Sequence, residues 1–573
     1  MYLRSDPLNE TLPLTRGLRS RQTLPAAGHS RRLLSSTGRR FVRYGVACLL
    51  FLAVGDLMVT LQRSLQTENL IRTGERTPEP TVMEDSADAE TPDLPGEPFP
   101  GSADEVLTLA GKPGDYAARL FSGYLPLNNG GHAFYFLAES QSATPQTDPV
   151  LLWLNGGPGS SSLSGCFSEN GPLLVNKDGR TLRTNKFAWN QRANLLCIES
   201  PVGVGFSYNS SGVYEADDLS QARDLYDALQ KFFGKFPWLR ENDFVISGES
   251  YGGVYVPTTA LAIVEGNAAT PEKVNHINLK KFVVGNGVNE FMGLSTAMFA
   301  YYHGLLSTEK YQKYRASCPD LHEFEKSPIA APGLSDDATS PECTSATLDI
   351  LTTLVYDRIN MYDVYSSCAG SPKDDVQRLV KEILSPSTPG KLPHPIGNTM
   401  DLCLDTTHLE SYFNLAEVRA AMHANPALAH WSGDALTTAT METLGSILGL
   451  DHPMLQHTQM LKYTPTLNAE VTPLWRELLK SGVKGVIYHG DADLVCNVVG
   501  GLWAVESLGL PRLAPREAWT YGEKEAKQTG GFVEAFQGLS YVTVKGAGHL
   551  VPMTQPEEAM QMLELFVLND LEY

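Results

Sequence analysis

The sequence predicts an α/β fold with a central, mostly parallel sheet and helices on both faces. Three short apolar runs support this prediction, at 244–246, 486–488 and 541–544, and each is followed by a glycine-containing loop that carries a polar side chain. Loops at strand ends are the usual position of catalytic side chains in such folds. The pattern therefore predicts one site assembled from distant parts of the chain.

The first run leads into the pentapeptide Gly-Glu-Ser-Tyr-Gly at 248–252, with Ser250 at its centre. A serine hydroxyl is a weak nucleophile and needs a tight corner where a histidine can take its proton. The glycines at both ends lack the Cβ atoms that would collide with the strand entering the turn and the helix leaving it. Such pentapeptides also occur by chance, so the pattern alone leaves an ordinary turn open.

The other two runs lead to candidates for an acid and a base. Asp493 ends the loop 489–493, and His549 ends Gly-Ala-Gly-His at 546–549. A strand, a serine turn, then Asp and then His is the chain order of an α/β-hydrolase charge system. Asp491 competes with Asp493 for the acid, and spacing does not separate the two.

A further apolar run, which begins near Val150, leads into a glycine loop at 155–159. In an α/β-hydrolase this loop supplies backbone N–H groups for the negative oxygen of a tetrahedral intermediate. The predicted donors are the N–H groups of Gly157 and Tyr251. A plain glycine turn stays open, whereas a phosphate-binding P-loop is excluded because no Gly-Lys-Ser/Thr follows the glycines.

Six segments resemble the serine carboxypeptidases, a branch of the α/β-hydrolases with vacuolar, lysosomal and plant members. They are Trp-Leu-Asn-Gly-Gly-Pro-Gly at 153–159, Glu-Ser-Pro-Val-Gly-Val-Gly-Phe-Ser-Tyr at 199–208, Gly-Glu-Ser-Tyr-Gly-Gly at 248–253, Gly-Asn-Gly at 285–287, His-Gly-Asp-Ala-Asp at 489–493 and Gly-Ala-Gly-His-Leu-Val-Pro at 546–552. The resemblance implies an α/β-hydrolase fold with a cap inserted at about 303–401. It also implies Ser250 as nucleophile, His549 as general base and acid, and Asp493 as the carboxylate that orients the imidazole.

The resemblance further implies that Asn155, Glu169 and Glu249, with Trp153 beside them, bind the terminal carboxylate of a peptide. Two glutamates can face an anion if they share a proton, because like charges in close contact raise the pKa of one carboxyl group. Without the resemblance, Glu169 would be interpreted as a solvated loop residue and Glu249 as a helix N-terminal carboxylate. The implied activity is release of C-terminal amino acids at acidic pH through an acyl-enzyme, with KM rising toward neutral pH.

Two other functions stay open at this point: an acyltransferase on the same framework, and a protective or binding partner of other hydrolases. A net charge of −20 argues against nucleic acid, whose phosphates need a positive surface. No Cys/His cluster has zinc-ligand spacing, so we expect neither a metal nor a cofactor. The expected partners are peptides or proteins with a free C-terminus, and a homodimer is allowed for.

The first hundred residues differ in composition from the rest of the chain. Residues 1–41 predict a basic disordered arm, residues 42–62 a transmembrane signal anchor or an uncleaved signal, and residues 63–104 an acidic, proline-rich stem or propeptide. A cleaved signal and an interior helix are the alternatives for 42–62, where Asp56 would be costly in a bilayer. Arginines before the apolar stretch predict a type II protein with residues 105–573 as the catalytic domain in the secretory, endolysosomal or vacuolar lumen.

The eight cysteines fit an oxidising lumen. Four lie in or beside the predicted cap and are expected to form disulfides, namely Cys318, Cys343, Cys368 and Cys403. The resemblance implies a cysteine at position 160 bonded to the match of Cys403. This chain has Ser160, and Cys166 is expected to replace the missing partner. Cys496 matches an active-site thiol of some members, with a small buried hydrophobe as the alternative.

Overall fold

A computed structural model describes residues 101–270, 272–318, 340–368, 403–438, 461–467, 469–523 and 526–569. The predicted basic arm, the predicted anchor at 42–62, nearly all of the predicted stem and much of the predicted cap lie outside these residues. Within them, none of the helices combines the length and hydropathy that a bilayer crossing requires.

The described strands are β1 (Leu120–Pro126), β2 (Gly131–Ala138), β3 (Val150–Leu154), β4 (Leu173–Val175), β5 (Leu182–Thr184), β6 (Asn194–Ile198), β7 (Tyr208–Asn209), β8 (Glu215–Asp217), β9 (Phe244–Ser250), β10 (Leu279–Gly287), β11 (Lys462–Thr464), β12 (Lys484–Gly490), β13 (Glu517–Tyr521), β14 (Gln528–Phe536) and β15 (Leu539–Val544).

The described α-helices are α1 (Ser162–Ser168), α2 (Asp218–Lys235), α3 (Gly252–Ala269), α4 (Met292–Tyr302), α5 (Thr308–Ser317), α6 (Pro341–Tyr356), α7 (Thr407–Phe413), α8 (Ala416–Ala421), α9 (Thr472–Lys480), α10 (Val498–Ser507), α11 (Val551–Thr554) and α12 (Pro556–Met562). Short 3₁₀ turns span Ser102–Asp104, Trp189–Gln191, Pro237–Leu239 and Lys273–Asn275, and a π-helical turn spans Leu563–Leu568.

One large sheet has the strand order β1-β2-β6-β3-β9-β10-β12-β15-β14-β13, and β7 pairs with β2. The strands from β6 to β15 in this order run parallel, and antiparallel pairs flank them at both edges. The predicted fold class is confirmed. All four predicted runs are strands of the parallel part, so the loops at their carboxyl ends meet at one edge.

The central strands are continuously apolar because both faces of the sheet are covered. Every residue of β3 is buried, and its side chains alternate between two cores. Leu152 packs into the core that contains α2 and α3, whereas Leu151 and Trp153 pack into the core that contains α1 and α7. This alternation follows from the two-residue period of a strand.

The disulfides of the described residues join Cys166 to Cys197, Cys318 to Cys343, and Cys368 to Cys403. The predicted replacement pair of Cys166 and Cys403 is therefore wrong. Cys166 lies on α1, which packs on β6, where Cys197 faces it; Cys403 is held by the cap residue Cys368.

Ser160 compensates for the implied bridge with polar contacts instead of a covalent bond. Its hydroxyl donates to Asp434 Oδ1, and the two residues form an isolated β-bridge. Hydrogen bonds thus attach the glycine loop to the segment that contains Asp434.

Candidate active site

Ser250 is the last residue of β9, and a single residue, Tyr251, lies between it and the start of α3. Its φ is +59°, in the left-handed region that non-glycine residues rarely adopt. Such conformations cost about 1–3 kcal/mol and concentrate at functional sites. The turn presents Ser250 to a cavity of about 520 Å³, which His549 also lines.

His549 and Asp493 form a buried pair. Nδ1 of His549 lies 2.7 Å from Oδ2 of Asp493, and the two side chains are 4% and 0% exposed. Asp491 lies elsewhere, where its Oδ1 accepts a hydrogen bond from the N–H of Gly546 at 2.6 Å. The geometry thus separates two aspartates that the sequence spacing could not.

The carboxylate of Asp493 accepts three further hydrogen bonds. The backbone N–H groups of Val495 and Cys496 donate to it at 2.9 and 3.1 Å, and Nδ2 of Asn286 donates at 2.8 Å. Oδ1 of Asn286 accepts from the N–H of Gly490 at 3.0 Å, which orients the amide. Sequence reasoning gave Asn286 no role, although its motif Gly-Asn-Gly at 285–287 was the available signal.

The glycine loop lies against the serine turn. A Cβ atom added to Gly156 would lie 2.3 Å from the nitrogen of Tyr251 and 2.9 Å from Cβ of Ser250, so glycine is required for this approach. Gly157 has φ +101°. Within the described part of the chain, no hydrogen bond is formed by the N–H group of Gly157 or by that of Tyr251.

Asn155 connects the glycine loop to two glutamates. Its Nδ2 donates to Oε1 of Glu249 at 2.7 Å and to Oε1 of Glu169 at 3.3 Å. Its Oδ1 accepts from Nε1 of Trp153 at 2.9 Å and from the N–H of Gly165 at 3.1 Å. Because two N–H groups point at Oδ1, Nδ2 must face the glutamates. Trp153 is fully buried behind this amide.

Burial raises the pKa of Glu169 to about 7, and burial together with the charge of Glu169 raises the pKa of Glu249 well above 4.5. Burial and like charge both disfavour two ionised carboxylates side by side, so the pair holds at least one proton in acidic solution. The pair therefore offers an O–H donor in acidic solution.

Two other buried acids support the site, and sequence reasoning assigned neither. Glu199 accepts hydrogen bonds from the N–H of Phe206 at 2.6 Å, from Nε1 of Trp431 at 2.9 Å and from the hydroxyl of Ser161. Burial raises its pKa to about 7. It fixes Ser161, the residue that caps α1.

Asp218, at the start of α2, accepts hydrogen bonds from the hydroxyls of Tyr251 and Tyr463 at 2.8 and 2.7 Å. The N–H groups of Thr466 and Leu467 donate to its other oxygen at 2.6 and 2.9 Å. A single buried carboxylate thus joins the residue after Ser250 to the segment 461–467.

In the described part of the chain, one group of side chains has metal-ligand spacing: Asp493, Cys496 and His549 place one ligand atom each within 4.8 Å of one another. Cys496 is buried and forms no disulfide there. Asp493 and His549 bind each other in this group. The expectation that the protein binds no metal stays a prediction.

The family model described as serine carboxypeptidase matches residues 111–569 of this chain. The chain belongs to the serine carboxypeptidase family. This serine carboxypeptidase is a hydrolase of the exopeptidase class, and the site described above is the part of its fold where the family motifs meet.

Relatives in animals and plants resemble this carboxypeptidase over most of their length. It is 32% identical to the mouse lysosomal protective protein over 482 residues, which is 81% of this chain and 93% of the relative. It is 33% identical to serine carboxypeptidase-like 26 of Arabidopsis thaliana over 480 residues, again 81% of this chain and 93% of the relative.

Among solved structures, this carboxypeptidase shares its fold with Kex1(delta)p, a prohormone-processing carboxypeptidase of Saccharomyces cerevisiae. The TM-score is 0.60 at 22% identity, and the match covers 78% of this chain and 91% of that one.

Proposed function

We propose that this protein removes single C-terminal residues from peptides at acidic pH, with Ser250, His549 and Asp493 as its catalytic residues. One observation carries the proposal. Nδ1 of His549 binds Asp493 at 2.7 Å, so Nε2 is the nitrogen left to serve Ser250 in the shared cavity. A hydroxyl, an imidazole and an orienting carboxylate in this order are the components of acyl transfer to serine.

The reaction then proceeds in two halves. His549 takes the proton of Ser250 as Oγ attacks the last peptide carbonyl, and the N–H groups of Gly157 and Tyr251 bind the resulting oxyanion. The imidazolium, stabilised by Asp493, protonates the leaving amine. Water then attacks the acyl-enzyme with His549 as base and frees Ser250.

Asn155, Glu169 and Glu249 bind the free C-terminal carboxylate of the substrate in this proposal. A protonated carboxyl group of Glu169 or Glu249 offers an O–H to the substrate carboxylate. Nδ2 of Asn155 can redirect to the same carboxylate the N–H of its longer contact, which is 3.3 Å from Glu169. We assign Trp153 a positioning role, because it contacts Oδ1 of Asn155 from behind. An amidated C-terminus would offer a donor where the site also donates, so amidated peptides should bind poorly.

The test uses the full chain, purified in detergent, and a blocked Phe-Leu dipeptide at pH 5. We expect release of free leucine, and we expect Ser250→Ala to lower kcat by roughly 10⁵- to 10⁶-fold without changing thermal stability by more than a few degrees. The matching dipeptide amide should be cleaved poorly. Equal cleavage of acid and amide would contradict the recognition model, and transfer to an added alcohol in preference to water would favour an acyltransferase.

We further propose that residues 42–62 anchor the enzyme as a type II membrane protein with its catalytic domain in a lumen. Their length and apolar character, the arginines before them and the disulfides of the catalytic domain support this orientation. Resistance to carbonate extraction from microsomes, lost on deletion of 42–62, would support the anchor. Release of the intact chain into the soluble fraction would contradict it.

A further inference from the structure

One wall of the active-site cavity carries basic side chains that the chemistry at Ser250 does not use. Lys177 and Arg183 belong to the β4–β5 hairpin, and His408 belongs to α7. All three line the same cavity as Ser250 and Glu169. Lys177 and Arg183 are exposed, and His408 is half-buried.

This wall adjoins the site proposed for the terminal carboxylate. Nδ2 of Asn185, which follows the hairpin, donates to the carbonyl oxygens of Glu169 and Gly171 at 3.1 and 3.0 Å. Ser164 and Ser168 of α1 continue the lining up to Glu169. The hairpin is thus tied through Asn185 to the backbone at Glu169, and a residue whose carboxylate lies at Glu169 would share a cavity with the hairpin and α7.

The guanidinium group of Arg183 contacts neutral acceptors. Nη1 of Arg183 donates to the carbonyl oxygen of Val175 at 3.0 Å and to Oδ1 of Asn176 at 3.3 Å. Within the residues described, neither Lys177 nor Arg183 forms an ion pair with a carboxylate. Their charges are therefore available to a ligand.

One carboxylate on this wall, that of Asp405, partly offsets the positive charges of Lys177 and Arg183. Asp405 accepts a hydrogen bond from the hydroxyl of Thr407 at 2.6 Å and lies near Lys177 and His408. Asp434 also lines the cavity, but it contacts Ser160 on the glycine-loop side. Burial lowers the pKa of His408 and disfavours its charged form, so the wall sets two permanent cations against one carboxylate.

We propose that this wall makes the enzyme prefer leaving residues with acidic side chains, aspartate or glutamate, over basic ones. The inference rests on the proposed function, because it assumes that Glu169 marks the position of the leaving residue. An acidic side chain gains Coulomb energy at the wall, and a basic one loses it. Since the cations are exposed and screened, we expect a preference of about three- to tenfold in kcat/KM.

The experiment compares blocked dipeptides with a constant penultimate phenylalanine and glutamate, glutamine, leucine or lysine as leaving residue, at pH 6 and low salt. The full-length wild type should favour glutamate over lysine. Lys177→Glu should reverse or abolish that ratio while leucine release stays within about twofold. Lys273→Glu is the matched control, because Lys273 is an exposed lysine that does not line the cavity.

Equal kcat/KM for glutamate and lysine in the wild type, or an unchanged ratio in Lys177→Glu, would overturn the inference. The inference would also fail if Lys177→Glu changed kcat/KM only for peptides whose penultimate residue is charged. The wall would then contact the residue that forms the acyl-enzyme and not the leaving residue. If no leaving residue is released at all, the proposed function fails, and the inference fails with it. Leucine release without charge preference removes the inference alone.

Discussion

Two sets of buried acids lie at the active site and differ in what surrounds them. Asp493 accepts four hydrogen bonds, one of them from a histidine that can carry the opposite charge. Glu169 and Glu249 are similarly buried, yet their Oε1 atoms share one donor, Nδ2 of Asn155. None of the described residues donates to the Oε2 atom of either glutamate. Asp493 is therefore surrounded by donors, whereas burial with few donors raises the pKa of both glutamates.

Glu199 gives a third case. It accepts three hydrogen bonds, no cation among the described residues contacts it, and burial raises its pKa to about 7. Three hydrogen bonds therefore do not offset the burial of this carboxyl group. A histidine at hydrogen-bond distance is a contact that Asp493 has and Glu199 lacks.

The largest effect should come from removing the charge of Asp493. Asp493→Asn should lower kcat by about 10⁴-fold, because the amide favours the wrong tautomer of His549. Asp491→Asn is the matched control and should stay within a few-fold. Steady-state kinetics of both variants decides the matter, and a larger loss in Asp491→Asn would reverse the assignment of the two acids.

A substitution in the glycine loop, which lies between Asp493 and the two glutamates in the site, should lower kcat and leave substrate affinity largely unchanged. Gly156→Ala places a Cβ atom 2.3 Å from the nitrogen of Tyr251, next to the proposed oxyanion site. We expect kcat to fall about 10²- to 10³-fold. Gly114→Ala, where nothing lies within 4 Å, should behave as wild type. A kcat within threefold of wild type for Gly156→Ala would argue against this oxyanion site.

The buried glutamates whose pKa is raised should make the fold less stable as pH rises. Glu199 binds a proton up to a pH of about 7 when folded and up to its ordinary 4.5 when unfolded. Between these values the folded state holds more protons, so the free energy of unfolding falls with rising pH, by about 3 kcal/mol in total.

Glu199→Gln should therefore reduce the drop in Tm between pH 4.5 and 7.5 by a few degrees, measured by scanning calorimetry. The drop should shrink without vanishing, because Glu169 and Glu249 act in the same direction. Glu265→Gln replaces an exposed glutamate and serves as the control. An identical Tm profile in Glu199→Gln and wild type would show that this carboxyl does not titrate in that range.

The smallest of these effects concerns substrate affinity. As pH rises through about 7, Glu169 loses its proton and the site loses one O–H donor, so KM for free-acid peptides should rise. Glu169→Ala should raise KM at pH 5 by roughly tenfold with little change in kcat. Glu169→Gln keeps a donor that does not titrate, so its KM should vary less between pH 5 and 8. A KM equally dependent on pH in Glu169→Gln would place the titration elsewhere.

The sequence predicted what local patterns encode. The serine turn, the strand-end positions of Asp493 and His549, and the parallel sheet all follow from short segments. Contacts between distant segments were missed, as with Asn286, which is 207 residues from Asp493, and Glu199, which is 232 from Trp431. The Cys166 pairing failed for the same reason, because the partner depends on how α1 packs on β6.

The attachment of the glycine loop at Ser160 carries a final consequence. A disulfide at this position would tie the integrity of the oxyanion site to the thiol chemistry of the compartment. A hydroxyl and a carboxylate respond instead to protons and to competing water, and they separate and rejoin without any exchange partner. The attachment of the glycine loop to Asp434 is therefore itself independent of reductant.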